Sequence, residues 1–302
     1  MWPSLVKELQ EYRKKVNEIE IPDKSEINRI FIFGMGGSGI VGKIFENLSF
    51  LELNKEIRSF NTTKIPRYIT NEDLAIVISY SGNTLETLNV FKELKSKEIK
   101  HICITSDGIL KSMSRNVLLI PKDLLPREAF PYMFLSLLAI FEKIFSYPAY
   151  PIVSIFEQFK SAIENIDIKL KEEPVLIYSW YHYYPAALRF KQALNENTKI
   201  QAYALHIPEA CHNDIEGVKK GTVIVLRGSK EDEDVMEAFI NVLPKKPVEI
   251  KIKNRKYLSE ILLMFYLADL ISIKEAKRRG IDWRDTPRIV KYKKELYKRK
   301  SK

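Results

Sequence analysis

Two short polar turns, each directly after an apolar segment, contain the residues of this sequence best suited to bind a ligand. The first, Gly34-Met35-Gly36-Gly37-Ser38-Gly39, contains four of the eleven glycines and follows the apolar segment Ile30–Phe33. Glycines allow a tight turn and a close approach of the backbone to a ligand, and the free amides of a following helix attract an anion. This turn therefore predicts a phosphate site at Gly36, Gly37 and Ser38.

In the second turn, Ser79-Tyr80-Ser81-Gly82-Asn83-Thr84, hydroxyls replace glycines, and the predicted strand Leu74–Ser79 runs into this turn at Ser79. Ser79, Ser81 and Thr84 supply three hydroxyl donors beside the amides of a helix that we predict to begin near Leu85. This composition is suited to gripping a single terminal phosphate. Because the carboxyl ends of strands in an open parallel sheet meet at its ligand-binding edge, we expect both turns to face one crevice.

The first turn also has the spacing G-x-G-x-x-G, which is compatible with a dinucleotide site. Glu56 lies near the distance at which a ribose-binding acid would follow such a turn. The hydroxyl-rich second turn favours a phosphate site instead, and we expect no cofactor. A nicotinamide absorbance titration would distinguish the two interpretations.

Short β-rich segments alternate with helical patterns after an amphipathic helix around Ser4–Ile19. We predict a long helix over Glu128–Phe145 at the end of the first half of the chain. The predicted strands of this half are Arg29–Phe33, Glu56–Phe60, Leu74–Ser79, His101–Thr105 and Val117–Ile120. Such alternation predicts a doubly wound α/β fold, in which helices cover both faces of a parallel sheet.

Two prolines in Tyr147-Pro148-Ala149-Tyr150-Pro151 disfavour helix and predict a linker. We therefore expect an N-terminal domain over 1–147 and a C-terminal domain over 152–302. The second half repeats the α/β pattern, so the chain is predicted to contain two similar doubly wound domains. Its predicted elements are a helix at Ile152–Asn165 and strands at Val175–Ser179, Lys199–Tyr203, Thr222–Leu226 and Val248–Ile252.

Composition excludes several classes of protein. The 45% hydrophobic and 29% charged residues are typical of a globular chain, and the two cysteines, Cys103 and Cys211, exclude a disulfide framework and a Cys-rich zinc site. Nearly all of the net charge of +10 lies in Lys274–Lys302. This basic end has neither interleaved aromatic residues nor a zinc frame, so we expect no nucleic-acid partner.

The apolar stretches are not suited to crossing a membrane. Met133–Phe141 is too short, and Leu258–Ile273 is interrupted by Glu260 and Asp269. The N-terminal residues lack the basic start, apolar run and cleavage site of a secretory signal. We therefore expect no membrane partner and a cytoplasmic protein.

The two polar turns resemble those of the sugar isomerase (SIS) domain. Further motifs occur in the order seen in archaeal bifunctional phosphoglucose/phosphomannose isomerases, and the resemblance covers nearly the whole chain. These motifs are Pro126-Arg127-Glu128, Asn195-Glu196-Asn197, Pro208-Glu209-Ala210-Cys211-His212-Asn213 and Thr286-Pro287-Arg288. One departure is Cys211, where close relatives would carry another histidine.

The resemblance implies an aldose-ketose isomerase that acts on glucose 6-phosphate, mannose 6-phosphate and fructose 6-phosphate. Glu196 would be the base that moves a proton between C1 and C2. It would lie at the negative end of a helix over Pro185–Leu194, capped in a left-handed conformation by its asparagine neighbours. His212, an imidazole in a polar turn, would open the sugar ring.

The same resemblance assigns three further residues and a partner. Arg127 would place its guanidinium against the enediolate, Lys293 would contact sugar oxygens, and Thr286 would leave room for both C2 epimers. In phosphoglucose isomerases the ring-opening histidine comes from the neighbouring subunit. We therefore expect a homodimer in which His212 acts in trans.

Other interpretations stay open at this point. SIS domains also serve in transcription regulators, so the chain could be a non-catalytic sugar-phosphate sensor. Such regulators usually carry a separate helix-turn-helix domain, whereas the two predicted α/β units account for the 302 residues here. The segment Cys211–Glu216 contains several metal-ligating residue types, but adjacent residues rarely share one ion, and we expect no metal.

Overall fold

The structure, a computed structural model, describes residues 2–254 and 256–300. The described residues of 1–162 and 254–263 form one compact unit, and those of 163–253 and 264–302 form another. Each unit contains its own parallel sheet.

The first unit is built on a parallel sheet of five strands. These strands are β1 (Ile30–Gly34), β2 (Ile57–Phe60), β3 (Leu74–Ile78), β4 (Lys100–Thr105) and β5 (Val117–Leu119). They are ordered β2-β1-β3-β4-β5. The helices that begin in this unit are α1 (Leu5–Val16), α2 (Gly37–Glu52), α3 (Leu85–Ser96), α4 (Gly108–Met113), α5 (Phe130–Phe145) and α6 (Ala149–Glu164).

Both faces of the first sheet are covered, because every residue of β1 and β3 is buried. Phe31 and Val77 pack with Phe91 and other apolar residues in a single core cluster on one face. On the opposite face α2 lies so close that a Cβ on Gly42 would be 2.9 Å from Ile32 Cγ2. The predicted doubly wound α/β fold is confirmed for this unit.

An ion pair joins the starts of β1 and β3 at the edge opposite the polar turns. Arg29 donates from Nε to Asp73 Oδ1 at 3.0 Å and from Nη2 to Asp73 Oδ2 at 2.9 Å. Burial alone would raise the pKa of Asp73, but the Arg29 guanidinium and the Thr70 amide stabilise the charged carboxylate and lower its pKa overall.

The second unit has a parallel sheet of four strands. These strands are β6 (Val175–Trp180), β7 (Ala202–Ile207), β8 (Thr222–Arg227) and β9 (Val248–Lys251), ordered β7-β6-β8-β9. Its helices are α7 (Tyr184–Ala193), α8 (Asp214–Gly217), α9 (Glu233–Val242), the greater part of α10 (Tyr257–Arg278) and α11 (Pro287–Lys300). The prediction of a second α/β unit with a parallel sheet is confirmed.

The predicted linker is mostly helical. Ser146, with φ +55°, ends α5, and α6 begins at Ala149, so that Pro151 lies in its first turn, where a missing amide costs no helical hydrogen bond. Residues 149–162 pack with the first unit. The division into domains at 1–147 and 152–302 stays a prediction about separable folding.

Strand β7 begins three residues later than the predicted Lys199–Tyr203. Lys199 has φ +60°, which is incompatible with a strand, and it ends the helical turn before it. Ala202 N then donates to Asn195 Oδ1 at 2.9 Å, so this side chain anchors the start of the strand.

Candidate active site

The first polar turn connects β1 to α2, as predicted. Gly36, the residue before α2, has φ +55°, a conformation that favours glycine. Asn61 Nδ2 donates to Gly34 O at 2.6 Å, and a Cβ on Gly39 would lie 1.9 Å from the same nitrogen. The turn is therefore closed by Asn61 and leaves the first amides of α2 at the carboxyl end of β1.

The second polar turn connects β3 to α3, with Thr84 directly before the helix. Gly82 has φ +65°, its amide donates to Ser79 O at 3.0 Å, and its carbonyl accepts from Leu110 N at 2.9 Å. A Cβ at this position would lie 1.8 Å from Asp107 O. The turn is thus packed tightly against residues 105–110.

The predicted phosphate-binding hydroxyls of this turn lie together. Ser79 Oγ donates to Thr84 Oγ1 at 3.3 Å, and Ser81 Oγ accepts from Asn83 N at 3.3 Å. Ser79 is buried, whereas Ser81 and Thr84 are half-buried. The second turn therefore presents hydroxyls at the beginning of α3.

Nearby lysines are paired with an acid beside this turn. Lys122 Nζ lies 2.7 Å from Asp107 Oδ2, and Lys111 Nζ lies 3.3 Å from Asp107 Oδ1. Lys122 and Lys111 both lower the pKa of the Asp107 carboxyl. The one carboxylate holds both ammonium groups, so the hydroxyls and helix amides are the donors best placed for a phosphate.

The two turns contact each other through Ser38. Its hydroxyl accepts from Tyr80 N at 3.4 Å and donates to Met133 Sδ at 3.4 Å, and the residue is 8% exposed. The strands before the turns are neighbours, with Gly34 paired to Ile78. The structure therefore brings Gly36, Gly37 and Ser38 to the same sheet edge as the Ser79–Thr84 turn, as the sequence predicted.

Arg127 lies in the turn that precedes α5, three residues before the helix begins. The Pro126 carbonyl oxygen is 3.9 Å from the position of a Cβ on Gly37, which places this segment beside the first turn. Tyr80 Oη accepts from Leu124 N at 2.7 Å and ties the same segment to the second turn. Arg127 is 8% exposed. It is therefore held where both polar turns meet.

At the carboxyl ends of β6 and β8, a tyrosine ring fills the space between the turns that follow the strands. Tyr183 is fully buried, and a Cβ on Gly228 would lie 2.2 Å from its Cζ atom. Its hydroxyl accepts from Lys230 N at 3.0 Å. A phosphate site is therefore better accommodated at the first sheet than at this one.

Glu196 lies in a π-helical turn, residues 194–198, that continues α7. The predicted left-handed cap is at Lys199 and not at the asparagines, because both asparagine side chains have other partners. Asn195 Oδ1 accepts from Ala202 N, and Asn197 Nδ2 donates to Ser272 Oγ at 2.8 Å. The wide turn keeps Glu196 half-buried between two anchored neighbours.

Lys199 connects Glu196 to the segment before α11. Its ammonium donates to Glu196 O at 2.5 Å and to Asp285 O at 2.5 Å. Thr286 follows Asp285 directly, is half-buried, and accepts from Val290 N through its carbonyl at 3.1 Å. The structure therefore brings together the backbone segments that carry Glu196 and Thr286.

His212 is exposed and ends a short 3-10 turn, Glu209–His212, after β7. The preceding Cys211 packs with the apolar cluster of this unit, and burial raises the pKa of its thiol. Lys293 is exposed on α11. The Lys199 contact includes neither His212 nor Lys293. The roles of all the predicted site residues, Glu196 and Thr286 included, stay predictions.

Residues 2–254 and 256–300 contain neither a candidate metal site nor a candidate membrane-spanning helix. No three His, Cys, Asp or Glu side chains there are grouped so that they could hold a metal ion. No helix within those residues combines the length and apolar character needed to cross a membrane.

Sequence reasoning did not find Tyr80, Lys199 or Asn61 as site residues. Tyr80 is a single aromatic residue inside a turn of small and polar residues, and Lys199 is one of many lysines. Their contacts join segments distant along the chain, and no spacing rule reports such contacts. Only the position of Tyr80 between two predicted phosphate-binding serines could have drawn attention to it.

Comparisons with known proteins find family matches for both halves of the chain. Residues 25–141 match the SIS domain family, and residues 159–296 match the bacterial phospho-glucose isomerase C-terminal SIS domain. A bifunctional phosphoglucose/phosphomannose isomerase of Pyrobaculum calidifontis is 30% identical over 293 residues, covering 94% of this chain and 93% of that protein. The D-glucosamine-6-phosphate 4-epimerase of Sulfolobus acidocaldarius is 31% identical over 277 residues, 87% of each chain.

Among solved structures, a glucosamine-6-phosphate deaminase from Thermotoga maritima is similar, with a TM-score of 0.69 and 20% sequence identity. The match covers 94% of this chain and 98% of the deaminase, and it supports the fold. The level of identity to the Pyrobaculum isomerase over nearly the full length of both proteins decides the family. This chain belongs to the family of bifunctional phosphoglucose/phosphomannose isomerases, which carry two SIS domains in one chain.

Proposed function

We propose that this protein is an aldose-ketose isomerase that interconverts glucose 6-phosphate or mannose 6-phosphate with fructose 6-phosphate. The observation that carries the proposal is the contact between the two polar turns through Ser38, with Arg127 held beside both. It is supported by the relationship to phosphoglucose/phosphomannose isomerases over nearly the whole chain. The reaction would occur in the cytoplasm, because phosphorylated sugars do not cross membranes unaided.

The phosphate of the sugar binds at the two turns in this proposal. Its oxygens accept from the hydroxyls of Ser38, Ser79, Ser81 and Thr84, from the amide of Gly36 directly before α2, and from the amide of Gly37 at its start. The phosphate lies several bonds from the reacting carbons. Its binding energy therefore orients C1 and C2 without taking part in the proton transfer.

Proton transfer is assigned to residues of the second unit. His212 protonates the ring oxygen as the C1–O bond of the ring breaks and the C1 hydroxyl loses its proton, which gives the open-chain aldehyde. The Glu196 carboxylate then removes the proton from C2 of the aldose, the electron pair of that C–H bond forms the C1=C2 double bond, and the carbonyl π pair moves onto O1 to give the enediolate. Transfer of the hydroxyl proton from O2 to O1 and return of the proton from Glu196 to C1 then give the ketose. The reverse sequence converts the ketose, and return of the proton to either face of C2 gives glucose or mannose 6-phosphate.

Three further side chains complete the proposed site. The Arg127 guanidinium stabilises the negative charge that develops on the enediolate oxygens. Lys293 hydrogen-bonds sugar hydroxyls, and Thr286 leaves space for the C2 hydroxyl in both orientations. No step uses a metal or cofactor.

A coupled assay tests this proposal directly. Fructose 6-phosphate is supplied in the presence of a chelator, and glucose 6-phosphate and mannose 6-phosphate are measured separately. We expect both products and no loss of rate on chelation. Binding of fructose 6-phosphate without either product would instead indicate a sugar-phosphate sensor.

A second candidate function has one observation in its favour. The Sulfolobus protein, named as a D-glucosamine-6-phosphate 4-epimerase, is about as similar to this chain as the Pyrobaculum isomerase. The same preparation is therefore also incubated with glucosamine 6-phosphate and analysed by proton NMR. Inversion at C4 without conversion of fructose 6-phosphate would replace the isomerase proposal with an epimerase.

We further propose a homodimer in which each site uses Glu196 of one subunit and His212 of the partner subunit. The exposed position of His212, on a polar excursion after β7, favours this arrangement. Inactive His212→Ala and Glu196→Gln chains, refolded together, should regain up to about a quarter of wild-type activity, because half of the dimers are mixed and each has one intact site. A mixture that stays inactive although mixed dimers form would refute the shared site.

A further inference from the structure

Tyr80 contacts three segments around the two polar turns through three of its polar groups. Its amide donates to Ser38 Oγ at 3.4 Å, and its carbonyl accepts from Ser106 Oγ at 2.7 Å and Ser106 N at 3.0 Å. Its hydroxyl accepts from Leu124 N at 2.7 Å. The side chain is only 9% exposed. Because its amide, its carbonyl and its hydroxyl all bond to other segments of the protein, Tyr80 is an internal connector.

The Leu124 contact matters because residues 121–129 contain neither helix nor strand. Such a segment takes its conformation from individual hydrogen bonds. Leu125 N donates to Glu128 Oε2 at 3.0 Å, and Glu128 N donates to Leu125 O at 2.8 Å, so the turn around Arg127 is closed on itself. The Tyr80 hydroxyl then holds this closed turn against the second polar turn.

We propose that Tyr80 is a positioning residue that sets the placement of Arg127 through the hydrogen bond between its hydroxyl and the Leu124 amide. The inference rests on the proposed function, because Arg127 is the group assigned to the enediolate there. Burial raises the pKa of Tyr80 above its ordinary value, so the phenol stays protonated at working pH. The contact is thus constant across the pH range in which the enzyme would act.

The substitution Tyr80→Phe removes the hydroxyl and keeps the ring. Leu124 N then lacks its acceptor, and the Arg127 turn can shift, whereas Ser81 and Thr84 and the helix amides remain. We expect kcat to fall about fivefold to tenfold, the effect of one buried hydrogen bond. The inhibition constant of sorbitol 6-phosphate, which reports phosphate binding, should change less than about twofold, and the shape of the pH profile should not change.

Tyr147→Phe is the matched control. Tyr147 is 7% exposed, and its hydroxyl donates to Glu52 Oε2 at 2.8 Å, in the same unit but outside the polar turns. This variant also loses a phenol hydroxyl that makes a hydrogen bond, from a residue as buried as Tyr80. Its kcat should equal that of the wild type, so a general loss of packing or stability would not reproduce the effect at Tyr80.

A double-mutant cycle with Arg127→Met separates the inference from the function on which it rests. If Tyr80 acts through Arg127, adding Tyr80→Phe to Arg127→Met causes no further loss of kcat. Full activity of Arg127→Met would refute the assigned role of Arg127. A large loss in Arg127→Met together with wild-type kcat in Tyr80→Phe, or additive losses, would refute the positioning role of Tyr80.

Hydrogen exchange of the wild-type protein gives a test that needs no variant. The Leu124 amide should exchange slowly, because it donates to a buried hydroxyl. Exchange at the rate of an open loop would overturn the inference even if Tyr80→Phe did not fold.

Discussion

Replacement of Gly82 by alanine tests whether the second polar turn is as tightly constrained as its geometry indicates. Gly82 has φ +65°, and the added Cβ would lie 1.8 Å from Asp107 O and 2.9 Å from Thr105 Oγ1. Cβ atoms essentially never approach another heavy atom closer than 3.0 Å. Either the turn or residues 105–107 must therefore move by more than an ångström.

The expected decrease in the free energy of unfolding is the sum of two contributions. A left-handed conformation costs about 1–2 kcal/mol for a residue with a Cβ, and forcing a group into packed surroundings costs about 1–3 kcal/mol more. The free energy of unfolding should thus fall by about 2–5 kcal/mol, which corresponds to roughly 5–15 °C in Tm. Because the moving turn carries Ser81 and Thr84, the inhibition constant of sorbitol 6-phosphate should rise at least about tenfold.

Gly280→Ala provides the control for backbone conformation alone. Gly280 also has φ +65°, but no atom lies within 4 Å of the position of its Cβ. We expect a loss of about 1–2 kcal/mol and unchanged binding of sorbitol 6-phosphate. Thermal unfolding and inhibition are measured for both variants. If Gly82→Ala is no less stable than Gly280→Ala and binds like the wild type, the turn is not constrained by residues 105–107.

Three other predictions concern the second unit and the ion pair of the first. Glu196→Gln should lower kcat at least about 100-fold in the coupled assay while sorbitol 6-phosphate still binds; near-normal turnover would exclude Glu196 as the base. Lys199→Asn introduces a residue that tolerates φ +60° but is too short to reach both the Glu196 and the Asp285 carbonyls. This variant should lower kcat and change the ratio of mannose 6-phosphate to glucose 6-phosphate formed. If neither changes, the Lys199 bridge is dispensable. Since the pKa of Asp73 is lowered in the folded state, its pair with Arg29 stabilises the protein fully above about pH 4, and this contribution is lost progressively as pH falls from there through the folded-state pKa. Asp73→Asn should therefore lose stability at neutral pH, and the loss should shrink steadily as pH is lowered below about 4. A loss that stays constant with pH would contradict the ion pair.

The strands and helices next to the two polar turns were predictable because each depends on residues close together in the sequence. Apolar β-rich segments predicted β1 and β3, and the glycines and hydroxyls after them predicted turns that lead into helices. Parallel pairing of the two strands brings their carboxyl ends to one edge, so Ser38 and the Ser79–Thr84 turn had to be neighbours once the sheet formed. The predicted fold class is confirmed for the same reason.

The end of α7 shows where such signals fail. Asn195 and Asn197 favour a left-handed cap in isolation, but Ser272 and the start of β7 bind their side chains, and the left-handed residue is Lys199.

The predicted linker is a second case. The prolines at 148 and 151 predicted a linker, yet a proline in the first turn of a helix is tolerated, and α6 forms. In both cases a tertiary contact or a position within the helix decided between conformations that the residue types allow equally.

By itself, the sequence determined the α/β pattern, the two polar turns and, through its motifs, the family to which the chain belongs. Only the tertiary structure decided how the site residues are held. Tyr80 reaches Leu124 across 44 residues, and Lys199 reaches Asp285 across 86. Each contact depends on the packing of whole elements between its partners, because a hydrogen bond forms only where the folded backbone places a donor within about 3 Å of an acceptor.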